Sequence, residues 1–389
     1  MRSVSQSRLP VMLASLLWLA AGLAISTPSQ SAKASAPQAK SATAKPAAKA
    51  PPKSPAKKPA VRPRTYTYNG IPTYTDPTEN DIPEFDDPVV REVAVRALGT
   101  LNGTVVVVDP TSGRILTIVN QKLAFSGGFQ PCSTFKPVVA LAGLSEGVIT
   151  RDTMVKVSRR KYMNLTDAMA HSDNPYFEVV GRQLGFETLS RYARLMGLGE
   201  AAGLNIFEEH PGEFPKEPPQ WGGVGRMSSY GEGILLTPLQ LASIGATFAN
   251  GGTVYYLQYP RNLEEREHFE PRVKRKLNIE ALLPDLREGM MAAVLYGTGR
   301  RSFEPYGEQL FGKTGTCSDQ GSRLGWFVAH NDPLHPRMVV AVLIRGHRRL
   351  IGGSTAADIA GRIFQSLHER NYFARTTESS TRAMSSSNR

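Results

Sequence analysis

Apolar and polar residues alternate along the chain in two periods, which predict where strands and helices lie. Residues 104–109 form a β-branched run typical of a buried strand, and residues 114–119 follow a turn and predict its antiparallel partner. Near the other end of the chain, three further runs have the length and composition of strands: 309–316, 324–330 and 338–345. Early and late strands therefore enclose the middle of the sequence.

A helical period dominates between these strands. Pro137 places the start of one helix, over residues 133–146, because proline is tolerated only in a first helical turn. Other predicted helices cover 90–98, 165–196 in two or three pieces, 237–249, 279–295 and 355–369. Residues 208–233 are rich in glycine, proline and glutamate and predict a long functional loop. The expected fold class is α+β: an antiparallel sheet flanked by helices, with an inserted all-helical lobe.

The net charge of +12, from 46 Lys and Arg against 34 Asp and Glu, would by itself raise nucleic acid as a partner. The distribution of the charge argues otherwise, because residues 1–75 hold 11 basic residues and no acidic one. The rest of the chain has 35 basic and 34 acidic residues and is nearly neutral. Basicity therefore belongs to an N-terminal segment, and we expect no nucleic-acid partner.

Residues 1–26 combine two arginines with an apolar run, the pattern of a signal peptide or, if uncleaved, of a membrane anchor. Residues 27–75 are mostly Ala, Pro, Lys, Ser and Thr and predict a disordered linker. We expect one domain over residues 76–372 and a disordered tail over residues 373–389. This organisation predicts an extracytoplasmic protein, in the periplasm or cell envelope, that is secreted or anchored to the inner membrane.

Candidate chemistry begins with Ser133 and Lys136, which share one helical face at a predicted helix start. The SxxK spacing alone is weak evidence, because it recurs at Ser54 and Ser158 in segments that cannot hold a preorganised site. Two later motifs distinguish Ser133: Ser172-Asp173-Asn174 in a break between helices, and Lys313-Thr314-Gly315-Thr316 on a predicted strand. A GxSxG match at Ser145 lacks the preceding strand that a nucleophile elbow requires.

The chain resembles the transpeptidase domain of penicillin-binding proteins over about residues 88–370. The resemblance rests on these three motifs and on four further stretches: 109–116, 230–233, 237–242 and 325–327. The resemblance implies a cofactor-free serine D,D-transpeptidase that acts on the D-Ala-D-Ala stem peptides of peptidoglycan and is acylated by β-lactam antibiotics. It implies Ser133 as nucleophile, Lys136 as base, Ser172 as proton relay beside Lys313, and Asn174 as a hydrogen-bond partner of Lys136 or of the substrate. The N–H groups of Ser133 and Thr316 would form an oxyanion hole. The substrate-binding strand would be Thr314, Gly315 and Thr316, whose hydroxyls with Lys313 bind the terminal carboxylate.

The only two cysteines, Cys132 and Cys317, adjoin the implied nucleophile and the implied oxyanion-hole residue. If Ser133 and Thr316 face each other as the resemblance implies, the cysteines lie within reach of a disulfide. A similar bridge is found in carbapenem-hydrolysing class A β-lactamases, and an exported protein meets an oxidising compartment. Two small buried thiols are the alternative. Because no CxxC or HExxH motif is present, we expect no metal site.

Two other functions share these motifs: a serine β-lactamase, and a sensor that binds β-lactams or peptidoglycan without turnover. Class A β-lactamases carry a Glu-x-x-x-Asn element that activates the deacylating water. None of the glutamates in the corresponding region has an asparagine four residues later: Glu208, Glu209, Glu213 and Glu217. We therefore expect a long-lived acyl-enzyme, and leave open whether the acceptor is an amine or, as in a carboxypeptidase, water. We also expect no polymerase activity, because the residues between the predicted anchor and the predicted domain are mostly a disordered linker.

Overall fold

The computed structural model of the protein describes residues 70–319, 321–332 and 334–374. The predicted segment 1–26, most of the predicted linker, Ser54 and most of the predicted tail lie outside the described residues. The strands of the described part are β1 (Gly103–Val108), β2 (Ile115–Val119), β3 (Val155–Lys156), β4 (Tyr162–Met163), β5 (Thr253–Tyr255), β6 (Val273–Lys276), β7 (Leu310–Asp319), β8 (Ser322–Asn331) and β9 (Val339–Gly346). Its α-helices are α1 (Pro88–Leu98), α2 (Gln121–Phe125), α3 (Lys136–Ser145), α4 (Leu165–Ala170), α5 (Asn174–Leu195), α6 (Gly223–Tyr230), α7 (Pro238–Ala249), α8 (Leu263–Glu267), α9 (Leu283–Leu295) and α10 (Gly353–Glu369).

The main sheet has the strand order β2-β1-β9-β8-β7, and every neighbouring pair is antiparallel. The first two strands therefore pair with the last three. The residues between them are mainly helical, as predicted, but they also contain the two-stranded sheets β3-β4 and β5-β6. This arrangement confirms the predicted α+β fold class and the predicted hairpin. Strand β7, which carries the Lys313 motif, lies at one edge of the sheet, and no strand among the described residues pairs with its outer side.

Each face of the sheet supports its own hydrophobic core, because successive side chains of a strand point to opposite faces. On β9, Val340 and Val342 face the core that contains helices α1 and α10. Ala341 and Leu343 on the same strand face the core that contains α3, α5 and α7. The sheet is thus covered by helices on both sides.

Local sequence signals account for the boundaries of the helices around the site. Helix α7 starts with a capping box, in which Thr237 and Gln240 satisfy each other's backbone N–H groups, and Pro238 occupies its first turn. Helix α5 starts at the predicted break, where the Asp173 side chain accepts the Tyr176 N–H. A further interruption, consistent with the prediction of two or three helical pieces over 165–196, is a kink at Gly185, whose φ of 75° lies in the left-handed region.

The prediction of one long loop over residues 208–233 is wrong in its last part, where α6 spans Gly223–Tyr230. The helix was hidden because glycines surround and begin it, which lowers its apparent helical propensity. Its end has a recognisable cap, since Gly231 adopts the left-handed conformation (φ 66°) and donates its N–H to the Met227 carbonyl.

The ordered domain extends beyond the predicted limits of 76 and 372. Residues 70–75, assigned to the linker, include a buried Thr73 whose carbonyl accepts the Asn102 N–H at 2.9 Å. The Thr75 N–H donates to the Thr100 carbonyl at 2.9 Å. Phe373, assigned to the tail, is buried and stacks on Phe364 of α10. Hydrogen bonds and apolar contacts made far along the chain fix these segments, and composition does not reveal them.

Among the residues that the structure describes, no helix combines the length and the apolar character needed to cross a membrane. Apart from α8, the helices of this part bury side chains within the two cores.

Substituting Leu343 with alanine should lower the free energy of unfolding by about 2–5 kcal/mol, because its side chain is fully buried and truncation leaves a cavity. Urea titration followed by circular dichroism measures the change. Leu334→Ala is the matched control, since that leucine is 81% exposed and its truncation should cost no more than about 0.5 kcal/mol. Equal effects of the two substitutions would contradict the core assignment.

Candidate active site

Ser133 lies in a 3₁₀ turn, Cys132–Phe135, that leads directly into α3. The Ser133 carbonyl accepts the Lys136 N–H, so the serine occupies the first turn of the helical segment, as predicted. In the described part of the chain the Ser133 N–H itself has no hydrogen-bond acceptor. Just before the turn, the Gln130 carbonyl accepts the indole N–H of the buried Trp326 at 3.0 Å, which connects the turn that carries Ser133 to β8.

Lys136 extends from the start of α3 into the interior, where its side chain is fully buried. Its Nζ donates to the Asn174 Oδ1 at 2.6 Å and to the Ser172 carbonyl at 2.6 Å, and lies 3.1 Å from the Ser172 Oγ. Burial lowers the pKa of Lys136 to about 7, against the opposing effect of the carboxylates of Asp173 and Glu178. The amine therefore exchanges its proton near neutral pH, as a general base requires.

Lys313 on β7 approaches the same serine from the sheet side and is also fully buried. Its Nζ donates to the Ser172 Oγ at 2.8 Å and to the Thr314 carbonyl at 3.0 Å. Burial, and then the nearby Lys136, hold the pKa of Lys313 well below its usual range. The Ser172 hydroxyl thus lies between two amines.

Ser172 reaches this position through an uncommon backbone conformation, with φ of 55° in the left-handed region. For a residue with a Cβ this conformation costs about 1–3 kcal/mol and tends to occur at functional sites. It turns both the hydroxyl and the carbonyl of Ser172 towards Lys136. The spacing of the SDN motif does not indicate this strain.

Within the described part of the chain, no hydrogen bond joins the Ser133 hydroxyl to Lys136. Among the described residues its hydrogen bond is to the Ser229 carbonyl on α6, at 3.5 Å. Sequence reasoning missed Ser229, because the helix that carries it was assigned to a loop. Hydrogen bonds of catalytic groups are often long before substrate binds, and Ser133 and Lys136 lie one helical turn apart.

The outer edge of β7 faces the turn that carries Ser133. In a strand, alternate residues direct their backbone groups to the same side, so the Thr316 N–H shares the edge from which the Thr314 carbonyl reaches Lys313. Gly315 packs against the nucleophile's turn: a Cβ on Gly315 would lie 2.9 Å from the Pro131 carbonyl oxygen. Only glycine allows the strand this close to Ser133.

The two threonine hydroxyls of this strand already have partners. The Thr316 Oγ1 accepts the Gly353 N–H at the start of α10, at 2.7 Å, which leaves its own proton available. The Thr314 Oγ1 lies 2.6 Å from the Oγ1 of Thr298, a residue that the sequence did not single out. Thr314 is buried, whereas Thr316 and Thr298 are exposed.

A disulfide joins Cys132 and Cys317, with a Cα–Cα distance of 5.7 Å. It connects the turn that carries Ser133 to the strand that carries Thr316. Cys132 has φ of 53°, a backbone conformation that favours glycine. The disulfide therefore restrains the turn that carries Ser133, although Cys132 in that turn has a backbone conformation that would be less strained for glycine.

The described residues include two other serines that match a catalytic motif, Ser158 and Ser145, and neither belongs to this cluster. Ser158 lies in the exposed turn between β3 and β4, where its N–H donates to the Lys161 carbonyl. Ser145 is the last residue of α3, so it follows a helix instead of the strand of a nucleophile elbow. In the part of the chain that the structure describes, no group of three or more His, Cys, Asp or Glu side chains is arranged to hold a metal ion.

The antiparallel sheet, the inserted helical lobe and the convergence of Ser133, Lys136, Ser172 and Lys313 at the sheet edge are typical of serine acyltransferases with the SxxK, SDN and KTG motifs. The profile of the penicillin binding protein transpeptidase domain matches residues 103–365, and the chain belongs to this family. The family resemblance of the motifs is thereby confirmed.

Curated relatives of this chain are named as peptidoglycan D,D-transpeptidases. The peptidoglycan D,D-transpeptidase MrdA of Acinetobacter baumannii is 26% identical over 369 residues, which cover 74% of this chain and 54% of the relative. The peptidoglycan D,D-transpeptidase FtsI of Escherichia coli is 24% identical over 302 residues, covering 67% of this chain and 50% of the relative. The chain spans about half the length of the curated relatives it matches.

Solved structures share the fold. The transpeptidase domain of Burkholderia pseudomallei penicillin-binding protein 3 has a TM-score of 0.63 at 20% identity, over 76% of this chain and 97% of that domain. The imipenem acyl-enzyme complex of Mycobacterium tuberculosis penicillin-binding protein A has a TM-score of 0.61 at 22% identity, over 72% of this chain and 78% of that one.

The purified protein, unfolded without reductant, should take up no alkylating label, and should take up two labels after reduction. The disulfide closes a separation of 185 residues, so its loss should destabilise the domain by up to about 5 kcal/mol. Mass spectrometry counts the labels. Cys132→Ser is the control, since it leaves one thiol that must be labelled without reduction. Two labels on the unreduced wild-type chain would refute the bridge.

Proposed function

We propose that the protein is a serine D,D-transpeptidase that acts on the D-Ala-D-Ala stem peptides of peptidoglycan, with D-Ala-D-Ala carboxypeptidase activity left open, and that β-lactams acylate it at Ser133. The observation that carries the proposal is the buried Lys136 amine, whose pKa is about 7, one turn from Ser133 and hydrogen-bonded to Ser172 and Asn174. Family membership and the names of the relatives support the same reaction.

In the proposed acylation step, the Ser133 oxygen attacks the carbonyl carbon of the penultimate D-alanine. The Ser133 proton passes to the neutral Lys136 amine, and the developing oxyanion is held by the N–H groups of Ser133 and Thr316. As the C–N bond breaks, Ser172 donates its proton to the leaving amine and regains one from Lys136, which is 3.1 Å from its hydroxyl. Asn174 holds Lys136 in place for both transfers.

Deacylation then decides between the competing functions. An amine of a second stem peptide gives a cross-link, whereas water gives trimming of a stem peptide or, with a β-lactam, antibiotic hydrolysis. Two of the candidate glutamates are engaged elsewhere: Glu208 pairs with Arg261 at 2.7 Å, and the buried Glu209 accepts the N–H groups of Ala202 and Gly203. Their engagement favours a long-lived acyl-enzyme over a β-lactamase.

Glu178 is another carboxylate near this site, and it influences Lys136 less than Asp173 does. It pairs with Arg182 at 3.3 Å, and its Oε1 lies 3.5 Å from the hydroxyl of Ser229, whose carbonyl in turn faces Ser133. A general base must lie within hydrogen-bond reach of the proton that it removes. Because Ser229 stands between Glu178 and the nucleophile, this geometry also favours slow hydrolysis.

We also propose the cellular setting from the sequence. Residues 1–26 would direct export, and either stay as an anchor in the inner membrane or be removed. The basic, proline-rich stretch that follows would place the domain at the peptidoglycan. Partners would then be stem peptides and β-lactams, with no nucleic acid.

The purified protein should release D-alanine from a pentapeptide ending in D-Ala-D-Ala, and should exchange the terminal residue when a D-amino acid acceptor is added. Ser133→Ala should abolish both products, because the nucleophile is lost. Liquid chromatography with mass spectrometry separates exchange from hydrolysis. Ser145→Ala is the matched control and should behave as the wild type. Rapid nitrocefin turnover without a stable adduct would instead support the β-lactamase alternative.

The rate constant for acylation by benzylpenicillin should rise with pH and level off above about pH 8. The base must be neutral, and with a pKa of about 7 for Lys136 the neutral fraction falls roughly tenfold per pH unit well below that value. Adduct formation at each pH is followed by intact-protein mass spectrometry. Lys136→Arg should give no measurable acylation, because a guanidinium stays protonated. A flat profile from about pH 5.5 to 8.5 would exclude Lys136 as the base.

A further inference from the structure

Thr298, in the loop that follows α9, connects the two elements that hold Ser172 and Lys313. Its N–H donates to the carbonyl of Ala170 at 3.0 Å, and Ala170 is the last residue of α4, two positions before Ser172. Its hydroxyl lies 2.6 Å from the hydroxyl of Thr314, the residue after Lys313 on β7. Thr298 therefore forms hydrogen bonds both to the end of α4, next to Ser172, and to β7, next to Lys313.

The glycine before Thr298 makes this position possible. A Cβ on Gly297 would lie 2.1 Å from the Ala170 carbonyl oxygen, so no other residue fits without moving the backbone. The Gly297 and Gly299 N–H groups donate to the carbonyls of Ala292 and Ala293, at 3.0 and 2.8 Å. The loop is thereby held against the end of α9, and the backbone determines where the Thr298 hydroxyl lies.

The two hydroxyls differ in their access to the cleft. Thr314 is only 5% exposed, whereas Thr298 is exposed. A hydroxyl has one proton to donate and can accept two hydrogen bonds. When Thr314 donates to Thr298, the proton of Thr298 remains free to point outwards. A chain of this kind strengthens the outer donor, because each hydrogen bond polarises the next.

The Lys313 amine lies close to these hydroxyls and can take part in binding an anion. The Nζ of Lys313 is bonded to the Thr314 carbonyl at 3.0 Å and thus lies at the same part of the strand. An anion seated there would accept hydrogen bonds from the Thr298 hydroxyl and the Lys313 amine, and its charge would favour the ammonium form of Lys313. Charge-assisted hydrogen bonds are about twice as strong as neutral ones.

We propose that Thr298 is a substrate-binding residue: its hydroxyl donates to the terminal carboxylate of the stem peptide and to the corresponding carboxylate of a β-lactam. This inference rests on the proposed function and deepens it. Thr314, which the sequence assigned to direct carboxylate binding, acts through Thr298 by supplying it with a hydrogen bond. The carboxylate-binding set is then Lys313, Thr316 and Thr298.

The test compares acylation by benzylpenicillin with acylation by its methyl ester, which lacks the anionic carboxylate. Thr298→Val keeps the side-chain shape and removes the hydroxyl. It should lower the rate constant for benzylpenicillin by about tenfold or more, the effect of losing a hydrogen bond to a charged group. The rate with the methyl ester, followed over long incubation by intact-protein mass spectrometry, should stay at its wild-type value.

Thr298→Ser is the matched control and should restore the benzylpenicillin rate to within about twofold, because it keeps the hydroxyl. Unchanged melting temperatures of both variants show that the fold is intact, and Thr298→Ala replaces the valine variant if that one is destabilised. A wild-type rate in Thr298→Val, or an equal loss with both ligands, would overturn the inference. A wild-type protein that neither ligand acylates would instead contradict the proposed function itself.

Discussion

Two lysine amines buried against one serine hydroxyl are the constraint on which the rest of the site depends. The Nζ atoms of Lys136 and Lys313 lie 3.1 and 2.8 Å from the Ser172 Oγ. An isolated ammonium ion is costly to bury, and a second one beside it adds repulsion. The protein resolves this cost by lowering both pKa values, which supplies the neutral amine that the proposed chemistry needs.

Bringing these groups together strains the backbone, and long-range connections hold the strain. Cys132 and Ser172 both adopt left-handed conformations, one beside the nucleophile and the other between the lysines. The disulfide to Cys317 restrains the first, and the contact between Thr298 and Ala170 restrains the turn that contains the second. Strain of this kind persists only where the surrounding structure over-determines the conformation. The surrounding structure therefore fixes the backbone at Cys132 and Ser172.

Sequence patterns predicted most of the fold, because its strands and long helices have strong periods and clear caps. The strands around Val105 and Val342 are continuous apolar runs, and a capping box at Thr237 marks the start of α7. The motifs likewise predicted that Ser133, Lys136, Ser172 and Lys313 would converge. The pattern failed where glycine obscures helical character, as in α6, and where a contact joins distant residues. Thr298 and Ser229 carry no motif of their own, and only the folded chain brings them to the cleft.

The proposed substrate would also change the charge of the site that binds it. With the cleft empty, burial keeps the pKa of Lys313 low, and its hydrogen-bond partners are the neutral Ser172 hydroxyl and the Thr314 carbonyl. A carboxylate seated beside Thr298 and Thr316 would raise that pKa, because an opposite charge favours the ammonium form. The positive charge on Lys313 would in turn favour the neutral form of Lys136, the proposed base. On this mechanism, a ligand with a correctly placed carboxylate increases the fraction of protein in which the base is ready, so binding and activation are one electrostatic event.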